Sequence, residues 1–491
     1  MLWCIPVSVF LFAVFYSVSF FAGLRWRTPI LAIGVTCLFG AFVLVVGAIG
    51  GYFDGFITQP AAIRSLVLAG DEVLATTRGG SLQRFDAQEN VWQSLSDPGT
   101  GRGDLVLPLT KMDEEHVVTA RIKGGRFNPY GSGSLDLQML ESETQWEPEP
   151  TLRLPIATRR VFAVPGKSLI AMNTGGLMAA DWQKAMQLEN EDNETEGTES
   201  PEAPNQKGNW LTELIRKRGG ATSDFQSILP AGVTIVQPVR IVLSDDSQAL
   251  ILYSLGRITR LAMPTDPTKI AWEAEAKFEI EGEASKGAVI AVSGDKLFVA
   301  RSEEPIQILN ANSLEVICEL TMPAGESVHS ATGLADGRRF MVVYSDGSAS
   351  IVRVEENSAT FDRSTSYQDV EFVSLDRATD QLAIIHDYDQ VDLVSVDDFA
   401  VKKKIRPSYK SWRFVDHYII TPLRTLTPQT GELGQTVAAI VGGKSSVTIG
   451  QSDGDDGDKI RFKILRPVLS CAGFIFVMLT ISCVYFARRD F

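Results

Sequence analysis

Apolar and polar positions alternate through the middle of this chain in one short pattern that recurs seven times. A turn rich in Asp or Gly leads into an apolar run, a second turn follows, and an alternating apolar/polar stretch completes the unit. The copies are GDEVLATTRGGSLQRF from Gly70, EEHVVTARI from Glu114, GKSLIAMNTGGLMAADW from Gly166, DDSQALILYSLGRITRL from Asp245, SGDKLFVARSEEPIQIL from Ser293, DGRRFMVVYSDGSASIVRV from Asp336 and ATDQLAIIHDYDQVDLVSV from Ala378. Alternation at period two predicts half-buried strands, and the Asp/Gly clusters predict the turns between them. A short hairpin unit repeated in this way predicts an all-β propeller of about seven four-stranded blades over residues 60–408. WRFVDHYIITPL from Trp412 reads as a partial eighth copy.

Taking the first apolar residue of each outgoing strand as a marker (Leu82, Leu135, Leu177, Ile258, Ile306, Ile351 and Val391), successive copies lie 40 to 53 residues apart, except for one interval of 81. That interval contains the acidic stretch 187–209, which has too few apolar residues to fold alone and is expected to be a disordered insertion. Several copies end in a bulky residue beyond the marker: Trp92, Trp146, Trp272 and Phe361. Blades diverge outward, so large flat side chains near the last strand are expected to fill the gap between neighbours. A ligand cage is the competing use of the same aromatics.

Hydropathy changes character at both ends. Residues 1–23 and 28–53 carry no charge and are separated by the basic link 24–27, LRWR; a third uncharged run spans 467–487 and leaves the short tail 488–491. About 20 apolar residues suffice for a helix to cross a bilayer core. Two N-terminal transmembrane helices and one C-terminal one are therefore predicted to flank the propeller. The first run has no preceding basic residue and no small-residue cleavage site, so it does not read as a secretory signal. Charge leaves sidedness nearly tied: Arg25, Arg27, Arg488 and Arg489 stand against Arg64, Lys459, Arg461, Lys463 and Arg466.

Net charge is −14, which disfavours nucleic acid and anionic headgroups as partners of the propeller. Four cysteines (Cys4, Cys37, Cys471 and Cys483) fall in the apolar runs, leaving Cys318 as the one thiol of the large middle region, where it reads as a core residue. The histidines His116, His329, His386 and His417 lack a second His or Cys at metal-ligand spacing. His386, beside Asp387 and Asp389, matches Tyr253 and Tyr344 in repeat offset and so reads as a strand end.

AAIVGGKSS at 438–446 imitates a phosphate loop without its first glycine or a following helix. SDGDDGDK from Ser452 lacks a calcium-loop ligand at Gly457, and 409–466 reads as a juxtamembrane segment and acidic linker. The RGD at Arg102–Asp104 and the NET at Asn193 read as solvated loop sequence. No catalytic, cofactor-binding or metal residue is assigned, and no enzyme activity or cofactor is expected.

The ends also carry a family resemblance. FYSVSFFAGLRWRTPILAIGVTCLFGAFVLVVGAIGGYF resembles the late transmembrane region of ABC-2-type transport permeases, with a short basic turn between two helices. VLSCAGFIFVMLTISCVYFARRDF resembles the last helix of that family, and DHYIITPLRTLTPQTGELGQTVAAIV, at 416–441, is similar to the segment preceding it. The RRDF ending and the PQTGEL stretch carry most of the likeness, which covers about a quarter of the chain.

The resemblance implies a multi-pass protein of the cell (inner or plasma) membrane, with link and tail in the cytoplasm and the propeller an extracytoplasmic insertion. It implies partners as well: the lipid bilayer, a separate ABC ATPase subunit and further permease helices, with a protein or other ligand on the propeller and no nucleic acid. The family has six membrane helices, so three make this a half-permease, a truncated form or a decayed relative. A propeller insertion is not a general family feature. Without the resemblance, the chain reads as a membrane-anchored propeller scaffold or sensor with no transport role.

Overall fold

A computed structural model describes residues 4–95, 105–122, 135–155, 158–164, 168–173, 176–181, 225–236, 238–264, 272–280, 287–301, 304–322, 327–430, 433, 446–449, 458–461 and 465–488. They form two units, one running from 61 to 407 and one built from both ends of the chain.

The first unit is a β-propeller of seven antiparallel blades, each strand pairing with the next in chain order. The blades occupy 63–94, 105–153, 160–227, 239–279, 288–320, 328–367 and 370–405. All seven sequence markers lie in the third strand of a blade, so the periodic unit is the hairpin of strands two and three. Blade 2 departs from the pattern: its innermost strand is split into Leu105–Val106 and Thr110–Lys111, both pairing with His116–Ile122. Pro108 lies in the break, where its missing N–H would interrupt a continuous ladder. In blade 3 the long insertion separates Leu177–Asp181 from Gln226–Ser227; residues 187–209 themselves lie outside the described residues.

Second strands are almost wholly apolar because both their faces are buried. In Ala249–Ser254 of blade 4, Leu250 and Leu252 pack with blade 3, whereas Ile251 and Tyr253 pack with blade 5. Blade 6 repeats this: Phe340, Val342 and Tyr344 face blade 5, and Met341 and Val343 face blade 7. Every pair of neighbouring blades shares one such apolar cluster around the whole ring. A slip of one residue in any second strand would exchange its two partner sets.

Asp turns fix the geometry of several first hairpins. Asp113 Oδ1 accepts from the Glu115 and His116 amides, Asp246 Oδ1 from Gln248, and Asp336 Oδ1 from Arg338 and Arg339. A carboxylate capping amides two and three residues ahead fixes the chain reversal locally. These turns, with those between third and fourth strands, occupy one face of the ring. The second face carries the turns between strands two and three, the links between blades, and both ends of the unit.

The ring closes without exchanging strands, since blade 1 is wholly N-terminal and blade 7 wholly C-terminal. One backbone bond and several side-chain contacts make the seam instead. The Ile63 amide donates to Tyr388 O (2.7 Å), Ser374 Oγ to Leu66 O (2.8 Å) and Trp92 Nε1 to Asp389 O (3.2 Å), and Arg78 pairs with Glu371 (3.2 Å).

In the second unit α1 (Cys4–Trp26) and α2 (Pro29–Phe53) are joined by a tight link with Arg27 in the left-handed region. Pro29 opens α2, where a proline costs no hydrogen bond. A π-helical turn, Asp54–Thr58, extends α2. A helical stretch, α3, runs from Ser411–Val415 through a π turn at Asp416–Ile420 to Thr421–Leu426. The partial eighth repeat expected at Trp412 is therefore helix: its apolar residues lack the period-two spacing that the seven strand repeats share. The last helix, α4, is Leu465–Ala487.

Candidate functional site

The axis of the propeller offers the more built of two clefts. About 290 Å³ opens among the innermost strands of blades 1, 2, 3 and 7, lined by Leu68, Thr110, Lys111, Arg160, Phe162 and Asp376 among others. The broken strand of blade 2 brings Lys111 here, with Nζ 2.9 Å from Asp376 Oδ1 and 2.7 Å from Glu114 Oε1. The Asp376 side chain is 4% exposed, and its other oxygen accepts from Thr379 Oγ1 at 2.6 Å. Glu114 in turn accepts from the Gly70 amide of blade 1 at 3.1 Å. One lysine thus ties blade 2 to blade 7, while its partner Glu114 reaches blade 1. Arg160 lies 4.8 Å over the Phe162 ring, which stacks a cation on the wall of the same cleft.

A second ion pair spans farther. Arg377 of blade 7 pairs with Asp245 of blade 4, and Asp245 also accepts from the Gly294 amide of blade 5. The turns of blades 5 and 6 are close here as well, for a Cβ on Gly294 would stand 2.9 Å from Gly337 Cα. These charges satisfy one another. A ligand entering from the turn face would exchange its own groups for these partners, which suits a polar or charged guest better than an apolar one.

The other cleft, about 310 Å³, lies along blade 4 between 232–236 and the strand pair carrying Arg257, Lys277 and Glu279. Arg257 and Glu279 pair across it at 2.5 Å, and Val236 and Leu255 stand exposed at its rim.

The four aromatics singled out in the sequence all pack between blades, and each leans toward the preceding one. Trp146 (2% exposed) joins blades 1 and 2, Trp272 (3%) blades 3 and 4, Phe361 blades 5 and 6, and Trp92 the seam of blades 7 and 1. Blades 5 and 7 use Leu314 and Phe399 for the same purpose from left-handed turn positions. His386 ends its strand as its repeat offset implies. Its Nε2 is 3.7 Å from Asp392 Oδ2, and Asp392 Oδ1 is 2.6 Å from Arg406. Burial, together with the Asp392 charge, pushes the nearby Tyr367 hydroxyl up from its ordinary pKa. Cys318 is half-buried rather than a core thiol, and burial raises its pKa as well.

Among the described residues no group of three or more His, Cys, Asp or Glu is placed to hold a metal ion. The RGD at Arg102–Asp104, Asn193, the 438–445 part of the phosphate-loop mimic and the acidic stretch at 452–457 lie outside the described residues.

Lys111, Asp376, Arg377 and Asp245 were not singled out in the sequence. Asp245 was visible as a turn residue of the repeat and Asp376 lies two residues ahead of one copy, but their partners lie in other blades and no spacing rule reveals them.

No family model and no curated protein matches this chain. Solved propellers resemble it in fold. One is a Bacteroides uniformis protein proposed to be a 6-phosphogluconolactonase, 14% identical, covering 69% of this chain and 93% of its own, with a TM-score of 0.41. Kluyveromyces lactis Hsv2 is 8% identical, with coverages of 70% and 98% and a TM-score of 0.41. A chain of the mitotic checkpoint complex is 11% identical, with coverages of 69% and 92% and a TM-score of 0.42. At these values the likenesses carry no argument about what this chain binds.

Proposed function

We propose that this chain is an integral membrane protein of the ABC-2 permease type, without catalysis of its own, whose extracytoplasmic propeller engages a partner or cargo. The observation that carries the reading is the layout of the helical unit. Its three long helices are each apolar enough to cross a membrane. The C-terminal ends of α1 and α4 lie together, with the Phe21 and Tyr485 rings 6.2 Å apart, so Arg25, Arg27 and Arg488 gather at one end. At the opposite end Thr58 hydrogen-bonds Asp416, so the chain leaves for the propeller and returns from it at a common point. Charge by itself is nearly tied between the two sides, and it is the permease resemblance, with link and tail in the cytoplasm, that favours the propeller outside.

The PQTGEL stretch supports the permease part. Leu433, 2% exposed, packs with Val14 of α1 and Cys471 of α4. Ser470 Oγ donates to Thr427 O at 3.1 Å, and Gln429 is buried nearby. A polar segment built into apolar helices is costly and tends to serve function. Under this reading ATP hydrolysis belongs to a separate subunit. The partner meets the propeller on the turn face, over the axial cleft, because that face carries neither end of the unit.

Purifying the full chain from its native membrane in mild detergent tests the proposal. Co-elution of a phosphate-loop ATPase, with ATPase activity lost when the chain is absent, supports it. A chain that elutes without any ATPase, yet intact and folded, returns the protein to the anchored scaffold or sensor.

A further inference from the structure

We propose that the axial cleft of the propeller binds a zwitterion, an α-amino acid with an apolar side chain. The inference rests on the reading that the propeller meets its partner or cargo over this cleft, and it names the chemistry of that cargo.

The cleft exists because blade 2 breaks the pattern of the repeat. Among the described residues blade 2 alone has its innermost strand in two pieces, Leu105–Val106 and Thr110–Lys111. Departures of this kind from a regular repeat concentrate at functional sites. The second piece leans on blade 3, with Thr110 Oγ1 donating to Val161 O at 3.0 Å, and carries Lys111 into the axis. On the opposite side of the ring the inner strands of blades 5 and 6 close on each other: Ser293 Oγ donates to Leu334 O at 2.8 Å, and a Cβ on Gly333 would clash with the Val292 carbonyl. The opening is therefore local to blades 1, 2, 3 and 7.

Charge balance selects the guest. Lys111, Arg160 and the buried Asp376 line the cleft, and Glu114 meets Lys111 at 2.7 Å. The neighbouring pair, Arg377 with Asp245, is balanced as well. A ligand with one net charge would leave a charge unmatched beside a carboxylate whose side chain is only 4% exposed, and an unmatched charge in such a place is costly. A zwitterion leaves none. Its carboxylate takes Lys111 and Arg160, and its ammonium takes Glu114 and Asp376.

Both carboxylates are held for this exchange from elsewhere. Glu114 accepts from the Gly70 amide of blade 1 at 3.1 Å, and Asp376 from Thr379 Oγ1 at 2.6 Å. The rest of the wall is apolar, with Leu68 and with Phe162 under the Arg160 guanidinium. It suits an aliphatic or aromatic side chain. At about 290 Å³ the cleft stands at the small end of ligand pockets, about 300–1,000 Å³, and takes a single residue rather than a nucleotide.

Isothermal titration of the purified full chain decides the matter, with L-leucine as the zwitterion, N-acetyl-L-leucine as the matching anion and L-leucinamide as the matching cation. L-Leucine should bind about tenfold or more tightly than either analogue, because each analogue leaves one charge of the site unmatched. Arg160→Gln should weaken L-leucine about tenfold and leave L-leucinamide unchanged, since Arg160 meets only the carboxylate. Lys111→Met/Asp376→Leu, in which a matched apolar pair replaces the ion pair, should stay folded and bind none of the three. If that variant does not fold, Arg160→Gln and the comparison of the three ligands carry the test.

Equal binding of L-leucine and either analogue, no binding of L-leucine at millimolar concentration, or binding that survives Lys111→Met/Asp376→Leu overturns the proposal. Failure of the permease reading shows differently, as a chain that elutes without an ATPase while its L-leucine titration is unchanged.

Discussion

Propeller and helical unit contain the same kinds of apolar side chain and treat them in opposite ways. In the propeller Leu74, Ile251, Phe298 and Ile384 are fully buried, each enclosed by neighbouring blades. In the helices Ile30, Leu38 and Leu44 are 83%, 73% and 75% exposed. The propeller supplies its own apolar environment, whereas the helices leave theirs to be supplied by lipid or by other helices. Stability of the first should therefore respond to core substitution, and stability of the second to what surrounds it.

The largest effect expected from this contrast is at Trp146. Trp146→Ala should destabilise the propeller by about 3–5 kcal/mol, read by thermal unfolding in detergent, whereas Leu44→Ala should leave that transition in place. A ligand-cage role for the tryptophan would instead leave stability near normal and remove binding.

Next comes the axial ion pair. Lys111→Met strands the buried Asp376 carboxylate and should cost about 3–5 kcal/mol, most of it recovered by adding Asp376→Leu, because a matched apolar pair replaces a buried ion pair at little cost. Single and double variants that lose the same stability would show that the pair is not the coupling element.

Gly333→Ala tests how tightly inner strands approach. A Cβ there would clash with the Val292 carbonyl oxygen of the preceding blade, so the strands must part, at about 1–3 kcal/mol or more. An unchanged unfolding midpoint would mean that the ring relaxes freely.

The smallest effect concerns acid. At Asp336 partial burial works against ionisation, but hydrogen bonds from the Arg338 amide and Arg339 outweigh it and hold the pKa below the usual carboxylate range. A lowered folded pKa stabilises above the unfolded value of about 3.9 and loses that stabilisation as pH falls through the folded value. Stability should drop as pH falls below about 4, and Asp336→Asn should flatten part of that drop.

The contrast also explains what the sequence made legible. Strand periodicity was plain because both faces of a second strand are buried, so residues such as Phe340 to Tyr344 form an unbroken apolar run between Asp-containing turns. The long helices were plain because length and absence of charge, which a bilayer crossing would demand, are read directly from the sequence. Trp412 misled because its stretch mixes aromatic, apolar and basic residues much as a hairpin does, although its apolar residues lack the period-two spacing of the strands and it folds as helix. The axial pairs were hidden because Lys111 and Asp376 lie 265 residues apart and meet only when the ring closes.

The central claim is that basic link and tail lie on one side of the membrane and the propeller on the other. In a chain with all five native cysteines replaced by serine, single cysteines at Glu115 and Arg488 can be offered a membrane-impermeant thiol reagent on intact cells. The account predicts labelling at position 115 and none at 488 until the membrane is opened. Labelling at 488 with protection at 115 would contradict it, placing the propeller in the cytoplasm.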